Sequence, residues 1–170
     1  MNLKEILREI PDFPEEGILF KDITPLLRDI DAFNEIIDRF MEEYSEVEFD
    51  YIAAIEARGF LLGPILSREL DRGFIPIRKP GKLPADKISA TYELEYGENT
   101  LEIHTDAIDS GDRVLLIDDL LATGGTSQAA IELIERLGGE VVGAGYLIEL
   151  VDLNGRERLQ EYDIFTIMKE

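Results

Sequence analysis

The stretch VLLIDDLLATGGT, Val114 to Thr126, decides how the rest of the chain is read. Val114 to Ile117 are apolar without alternation, the pattern of a strand covered on both sides, as in a parallel sheet flanked by helices. Asp118 and Asp119 follow where that pattern stops, and the reading is that they emerge from the strand end rather than enter the core. Ala122-Thr123-Gly124-Gly125-Thr126 then leads small-residue backbone into a helix. Unpaired N–H groups and the helix dipole at such a start favour an anion. Taken singly, the acidic pair also reads as a solvated turn, and TGGT as a tight turn.

Working outward, YIAAI (51–55) and FIPI (74–77) are short apolar strands, and EARGF between them is a turn feeding a helix through about Asp71. VVGAGYLIEL (141–150) and DIFTIM (163–168) supply two more strands. Apolar residues at helical spacing predict helices over Phe33–Tyr44 and Thr126–Leu137, and a short amphipathic helix from Leu3 to Ile10 that Pro11 terminates. The Pro- and Gly-rich segment 11–27 reads as an ordered loop with short extended pieces. ATYELEY (90–96) and TLEIHT (100–105) alternate, and Gly97-Glu98 lies near the bend between them, which predicts a β-hairpin. Strands alternating with helices imply an α/β fold, a central parallel sheet with helices on both faces plus one antiparallel hairpin. Ligands of such sheets bind beyond the carboxyl ends of the strands.

The chain's 170 residues fit one domain, and 37 acidic against 17 basic residues give a formal net charge of −20. That charge argues against a general nucleic-acid binder and against docking on anionic membranes. Its two readings, solubility and adaptation to high salt, both remain open. The absence of cysteine excludes disulfides, a thiolate nucleophile and cysteine metal sites. With no long apolar run and no leader at the N-terminus, the expectation is a cytoplasmic protein. His104 has no second histidine to form a metal cluster with, and reads as structural.

The chemistry returns to the opening stretch. Glycines allow main chain to approach a phosphate, and Thr123 and Thr126 add hydroxyl donors. Two carboxylates beside such a cradle are suited to accept from vicinal hydroxyls, so phosphate at one end and a diol at the other describe a ribose 5-phosphate. A Walker-type P-loop is excluded, because no Gly-Lys-Ser/Thr follows, and no GxGxxG is present. As a whole, the thirteen residues resemble the phosphoribosyl-diphosphate signature of the type I phosphoribosyltransferases. PDFPEEGILFKDITPLL (11–27), DYIAAIEARGFLLGP (50–64), IRKPGKLP (77–84) and ATYELEYG (90–97) resemble, in order and spacing, segments of the family's adenine-specific branch.

The resemblance implies one phosphoribosyltransferase domain over 1–170, with a base-binding segment at 1–30 and a basic loop and flexible hood at 78–105. It implies formation of AMP and pyrophosphate from adenine and 5-phosphoribosyl 1-diphosphate, with Mg²⁺ carried mainly by the substrate diphosphate rather than by the protein alone, and a homodimer. Glu56-Ala57-Arg58-Gly59 matches the pyrophosphate loop, often beside a cis peptide, with Arg58 gripping the leaving group. Arg58 also suits phosphate oxygens on chemistry alone, as a forked cation just after a strand. Residues 78–87 set Arg78, Lys79, Lys82 and Lys87 against a single Asp86, a basic island that a polyanionic substrate needs on so acidic a protein.

In the hood, Glu95 matches a proposed proton-transfer group near the purine and Tyr96 its neighbour, although strand alternation also allows Glu95 to face solvent. Leu19-Phe20-Lys21 matches the adenine pocket, where Phe20 would stack on the base and backbone groups would read its edge; Phe20 reads equally as core. Lys21 stands where arginine is common in the family. The competing activities are transfer to hypoxanthine, guanine or xanthine, and a non-catalytic regulator that only binds the sugar diphosphate.

Overall fold

The computed structural model describes residues 1–93 and 97–170, in two compact units, Met1–Arg39 and Phe40–Glu170. In the first, a 3₁₀ turn at Leu3–Glu5 precedes β1 (Arg8–Pro11), which pairs antiparallel with β2 (Leu19–Asp22). The expected helix over 3–10 is therefore replaced after one turn by a strand. The reason is the partner strand: Arg8 and Asp22 face each other in register, and the Arg8 guanidinium donates to Asp22 Oδ2 at 2.6 and 2.8 Å. Tertiary pairing outweighs the helical spacing of a segment too short to hold a helix alone.

Asp22 also accepts from the Thr24 backbone N–H at 2.9 Å, at the start of α1 (Thr24–Arg28), a helical turn inside the predicted loop. These bonds hold the Asp22 carboxyl below the usual carboxylate range, the Thr24 N–H contributing most. α2 (Ile30–Tyr44) begins three residues earlier than its apolar pattern suggested, because Asp29 accepts from the N–H groups of Asp31 and Ala32 at 3.0 and 3.1 Å.

The second unit contains β3 (Tyr51–Ile55), α3 (Gly63–Glu69), β4 (Gly73–Ile77), β5 (Lys87–Glu93), β6 (Glu98–His104), β7 (Arg113–Leu121), α4 (Gly125–Arg136), β8 (Glu140–Glu149), α5 (Gly155–Arg158) and β9 (Ile164–Lys169). Five of these strands form a parallel sheet in the order β4-β3-β7-β8-β9. β5 and β6 pair separately as the antiparallel hairpin, with Ala90 opposite Leu101. α4 packs against one sheet face through Ala129, Ala130, Leu133 and Ile134, which join Val114, Leu116, Ala144 and the hairpin's Leu101 and Ile103 in one buried cluster. Leu137, expected on that face, is only partly buried. On the other face, Phe40 and Tyr44 pack edge-on against Phe165 of β9, at 5.7 and 5.9 Å between ring centroids.

The chain leaves β3 towards β4 on one side, whereas β7, β8 and β9 extend the sheet on the other. The order therefore reverses between β3 and β7, which opens a crevice at their carboxyl ends. Among the described residues, no helix is long and apolar enough to cross a membrane.

Candidate active site

Three neighbouring strands end at that crevice, and each delivers polar groups to it. β3 runs into Glu56, Ala57 and Arg58; β4 runs into Arg78 and Lys79; β7 carries Asp118 and Asp119. Beyond β7, Ala122, Thr123, Gly124 and Thr126 complete a cavity of about 350 Å³, whose walls also include Arg58, Lys79 and both aspartates. Residues far apart in sequence thus meet because their strands are adjacent. Gly125 opens α4 beside these residues, with Gly124 at its N-cap in the left-handed conformation, φ +84°.

The aspartates depart from the sequence expectation. They are not at an exposed strand end: β7 stays paired with β8 as far as Leu121 opposite Glu149, and Asp118 and Asp119 are only 9% and 5% exposed. Their cover comes from the 3₁₀ turn Arg58–Leu61, where Gly59 lies so close that a Cβ would stand 3.0 Å from Asp118 Oδ1. The Arg58 guanidinium meets Asp119 through Nε–Oδ2 at 3.0 Å, and the Asp119 N–H donates to Asp118 Oδ1 at 2.9 Å. Burial pushes the Asp118 carboxyl well above the usual range, and the adjacent Asp119 charge adds to this. Burial raises Asp119 as well, against the opposing pull of Arg58. A diol placed against the pair would add hydroxyl donors that favour its charged form.

Glu56 organises the next wall. Its Oε1 accepts from Arg78 Nε at 3.1 Å and from the Lys79 N–H at 2.7 Å, and Arg78 stacks over the Phe60 ring at 5.9 Å. The peptide between Glu56 and Ala57 is cis. The basic loop is tied to the hairpin at its base, where Arg78 and Glu102 exchange backbone hydrogen bonds of 3.0 and 2.7 Å and the Gly81 N–H donates to Glu102 Oε2 at 3.3 Å. At its other end, the Ala85 N–H lies 3.4 Å from His104 Nε2, giving that histidine a structural contact. Lys82 is exposed and stands away from the cavity lining.

Leu19, Phe20 and Lys21 lie in β2 of the first unit; Phe20 meets Phe13 edge-to-face at 5.1 Å, and Lys21 pairs with Glu9. Glu95 and Tyr96 lie outside the described residues. The sequence reading did not single out Tyr92, Asn99 or Ser127, which also line the cavity. Tyr92 and Asn99 face each other across the hairpin, a pairing that the alternation of the two segments could have suggested. Ser127 accepts a 2.7 Å bond from the hydroxyl of Tyr146, which is fully buried in β8. Burial pushes the Tyr146 phenol far above its ordinary range, so it stays a donor.

Comparison with known proteins bears on this arrangement. The phosphoribosyl transferase domain model matches residues 26–170. The chain is 62% identical to an adenine phosphoribosyltransferase of Halothermothrix orenii, over the whole length of both chains. This chain belongs to the adenine phosphoribosyltransferase family. The family's crystal structure from Thermoanaerobacter pseudethanolicus is 54% identical and superposes with a TM-score of 0.96, covering 99% of this chain and 98% of that one. The Saccharomyces cerevisiae enzyme, solved with adenine and an imino-altritol bisphosphate, is 45% identical with a TM-score of 0.91, covering 96% of this chain and 95% of that one. The expected type I phosphoribosyltransferase fold, parallel sheet and hairpin included, is the observed one.

Proposed function

We propose that this chain transfers the 5-phosphoribosyl group from its 1-diphosphate to N9 of adenine, releasing AMP and pyrophosphate, in purine salvage. The observation that carries the reading is the covered carboxylate pair, flanked by the Ala122–Thr126 loop on one side and by Arg58 on the other. In this reading the loop and the start of α4 take the 5-phosphate, Thr123 and Thr126 donating to it together with backbone N–H groups. Asp118 and Asp119 accept from the ribose 2- and 3-hydroxyls. Arg58 and Lys79, which line the cavity, face the diphosphate, while Arg78 and Lys82 of the basic loop lie off the lining and add positive charge behind it.

The reaction needs no covalent nucleophile. The bond from C1 to the diphosphate oxygen breaks with its electron pair leaving on pyrophosphate, positive charge builds on the sugar, and the N9 lone pair closes on C1 from the opposite face. The N9 proton passes to Glu95 or to solvent. Orientation and stabilisation of the departing charge supply the acceleration. A hairpin closing over the ligands would keep water from the cationic sugar.

The donor set fits a metal that arrives with its substrate. Among the described residues, no three carboxylate or imidazole groups cluster to hold one, while Asp118 and Asp119 would hold Mg²⁺ through water or the ribose. When bound, Mg²⁺ neutralises diphosphate charge. For the base, Phe20 is a stacking platform and the backbone of Leu19 and Lys21 reads the purine edge; Tyr96 is assigned to substrate binding by the family resemblance alone. Leaving mismatched polar groups of a 6-oxopurine unpaired costs about 1–3 kcal/mol each. A cytoplasmic homodimer is part of the proposal; exposed apolar side chains such as Leu61 and Ile65, 41% and 36% exposed, are what supports association.

The test is pyrophosphate release with each purine in turn. Turnover with adenine, and little with hypoxanthine, guanine or xanthine, is the expected result. Turnover preferring a 6-oxopurine overturns the base assignment, and binding of the sugar diphosphate without turnover on any base makes the chain a regulator.

A further inference from the structure

Past β8 the chain makes a 3₁₀ turn at Val151–Leu153 and the single helical turn α5, a stretch with no apolar pattern and no recognisable motif. It lies against the back of the Ala122–Thr126 loop. At Gly155 a Cβ would stand 2.3 Å from the Ala122 carbonyl oxygen and 2.9 Å from Leu121 Cδ1. At Gly124, conversely, a Cβ would stand 2.7 Å from the Gly155 carbonyl oxygen and 3.3 Å from Arg158 Cβ. The two backbones therefore rest on each other through a glycine on each side, at a distance no other residue permits. The Leu150 N–H joins the same seam, donating to the Leu121 carbonyl at 2.9 Å.

A four-residue helical turn does not hold its own place. Here Arg156 fixes it to the sheet. Its Nε donates to Glu149 Oε1 at 2.6 Å, Nη1 to the Ile164 carbonyl at 2.9 Å, and Nη2 to Thr166 Oγ1 at 3.2 Å, while the Thr166 hydroxyl donates to Glu149 Oε2 at 3.0 Å. Glu149 is 5% exposed at the last paired position of β8. A buried carboxylate gripped by a forked cation gives a rigid, directional attachment.

We propose that Arg156 and Gly155 are positioning residues for the phosphate loop. Arg156, locked to Glu149 and Thr166, presses the Gly155 backbone against Ala122 and so sets the spacing of the loop that receives the 5-phosphate, without touching substrate. This rests on the reading that the loop binds that phosphate. It makes a directional claim: loosening the clamp weakens ligands that carry the ribose 5-phosphate and spares pyrophosphate, whose proposed contacts come from the ends of β3 and β4.

The experiment measures dissociation constants of ribose 5-phosphate, AMP and pyrophosphate by calorimetry for the parent, Arg156→Met, Arg156→Lys, Gly155→Ala and Thr126→Val. We expect Arg156→Met to weaken ribose 5-phosphate and AMP at least tenfold with pyrophosphate unchanged within twofold, Arg156→Lys to recover part of the loss, and KM for the sugar diphosphate to rise more than KM for adenine. Gly155→Ala should match or exceed Arg156→Met; should it not fold, the two Arg156 variants decide the matter. Unchanged ribose 5-phosphate affinity in Arg156→Met, or an equal loss of pyrophosphate, overturns the proposal. If the parent does not bind ribose 5-phosphate, or Thr126→Val leaves that binding intact, the phosphate-loop reading fails and the positioning role fails with it. Loss in Thr126→Val with none in Arg156→Met leaves the loop reading standing and removes only the clamp.

Discussion

Replacing Asp118 by asparagine should pull stability and ligand binding in opposite directions. Asp118 is 9% exposed, beside a second carboxylate, and its carboxyl is raised well above 3.8 chiefly by burial. A raised carboxyl binds more protons in the native than in the unfolded chain, so stability falls as pH climbs from the unfolded pKa near 3.8 towards the native value. Asparagine removes that penalty, keeps an oxygen to accept from the Asp119 N–H, and adds N–H donors next to the Asp119 carboxylate. We expect a gain of about 1 kcal/mol at neutral pH, a rise of roughly 2–4 °C in Tm for a chain of this size. The same change replaces a charge-assisted bond from a ribose hydroxyl, about 1.5–3 kcal/mol, so AMP should bind about 10- to 150-fold more weakly. Calorimetric scans from pH 4 to 8 with AMP titrations at pH 7 measure both. The Tm difference should shrink towards pH 4, where the native Asp118 is protonated and protonation of the unfolded carboxyl is under way. A variant less stable than the parent at pH 7, or a difference that grows on acidification, refutes the argument from burial.

Further outcomes follow from the same site. AMP binding should release protons, because hydroxyl donors favour the charged form of the aspartates, whose carboxyls burial raises, and affinity should fall on acidification; calorimetry in two buffers of different ionisation heat detects this, and no proton release at any pH between 4 and 8 counts against the diol assignment. Arg58→Met leaves Asp119 covered without its cation. Since Arg58 is itself 38% exposed, the loss should be about 1–2 kcal/mol, smaller than for a fully buried pair, present at pH 7 and absent below pH 4, together with weaker pyrophosphate binding. Gly63→Ala tests packing away from the cavity: its Cβ would stand 2.6 Å from Ala54 Cβ and 2.9 Å from the Phe74 ring, and thermal melts should show about 1–3 kcal/mol of destabilisation with ligand affinities intact.

The sheet was legible where covered strands leave uninterrupted apolar runs, as at 51–55 and 114–117, and the α4 helix where Ala129, Ala130, Leu133 and Ile134 repeat at its period. The turn into α4 was legible because the small residues Ala122 to Thr126 lead straight into the helical period, and the structure has Gly124 as the N-cap. Three features depend on partners that sequence distance hides. β1 misled because Leu3, Ile6, Leu7 and Ile10 carry helical spacing, while the deciding contact, Arg8 with Asp22, lies across a hairpin. The cover over Asp118 and Asp119 comes from a turn about sixty positions earlier, so the pair looked exposed. The 151–158 stretch has no periodicity, since what matters there is close backbone contact at Gly155 and one arginine's fork.

The crowding around three glycines also bears on how this scaffold could diversify. Gly59, Gly124 and Gly155 each sit where a single added carbon would stand within about 3 Å of a main-chain or carboxylate oxygen. A side chain at any of them would push against those oxygens, so the part of the fold proposed to hold the sugar phosphate has little room to vary there. The segment proposed to take the base, 19–21, is held through side chains instead, Phe20 against Phe13 and Lys21 paired with Glu9, with Leu19 46% exposed. A new acceptor, whether reached by drift or by engineering, would have to be accommodated from that end of the chain.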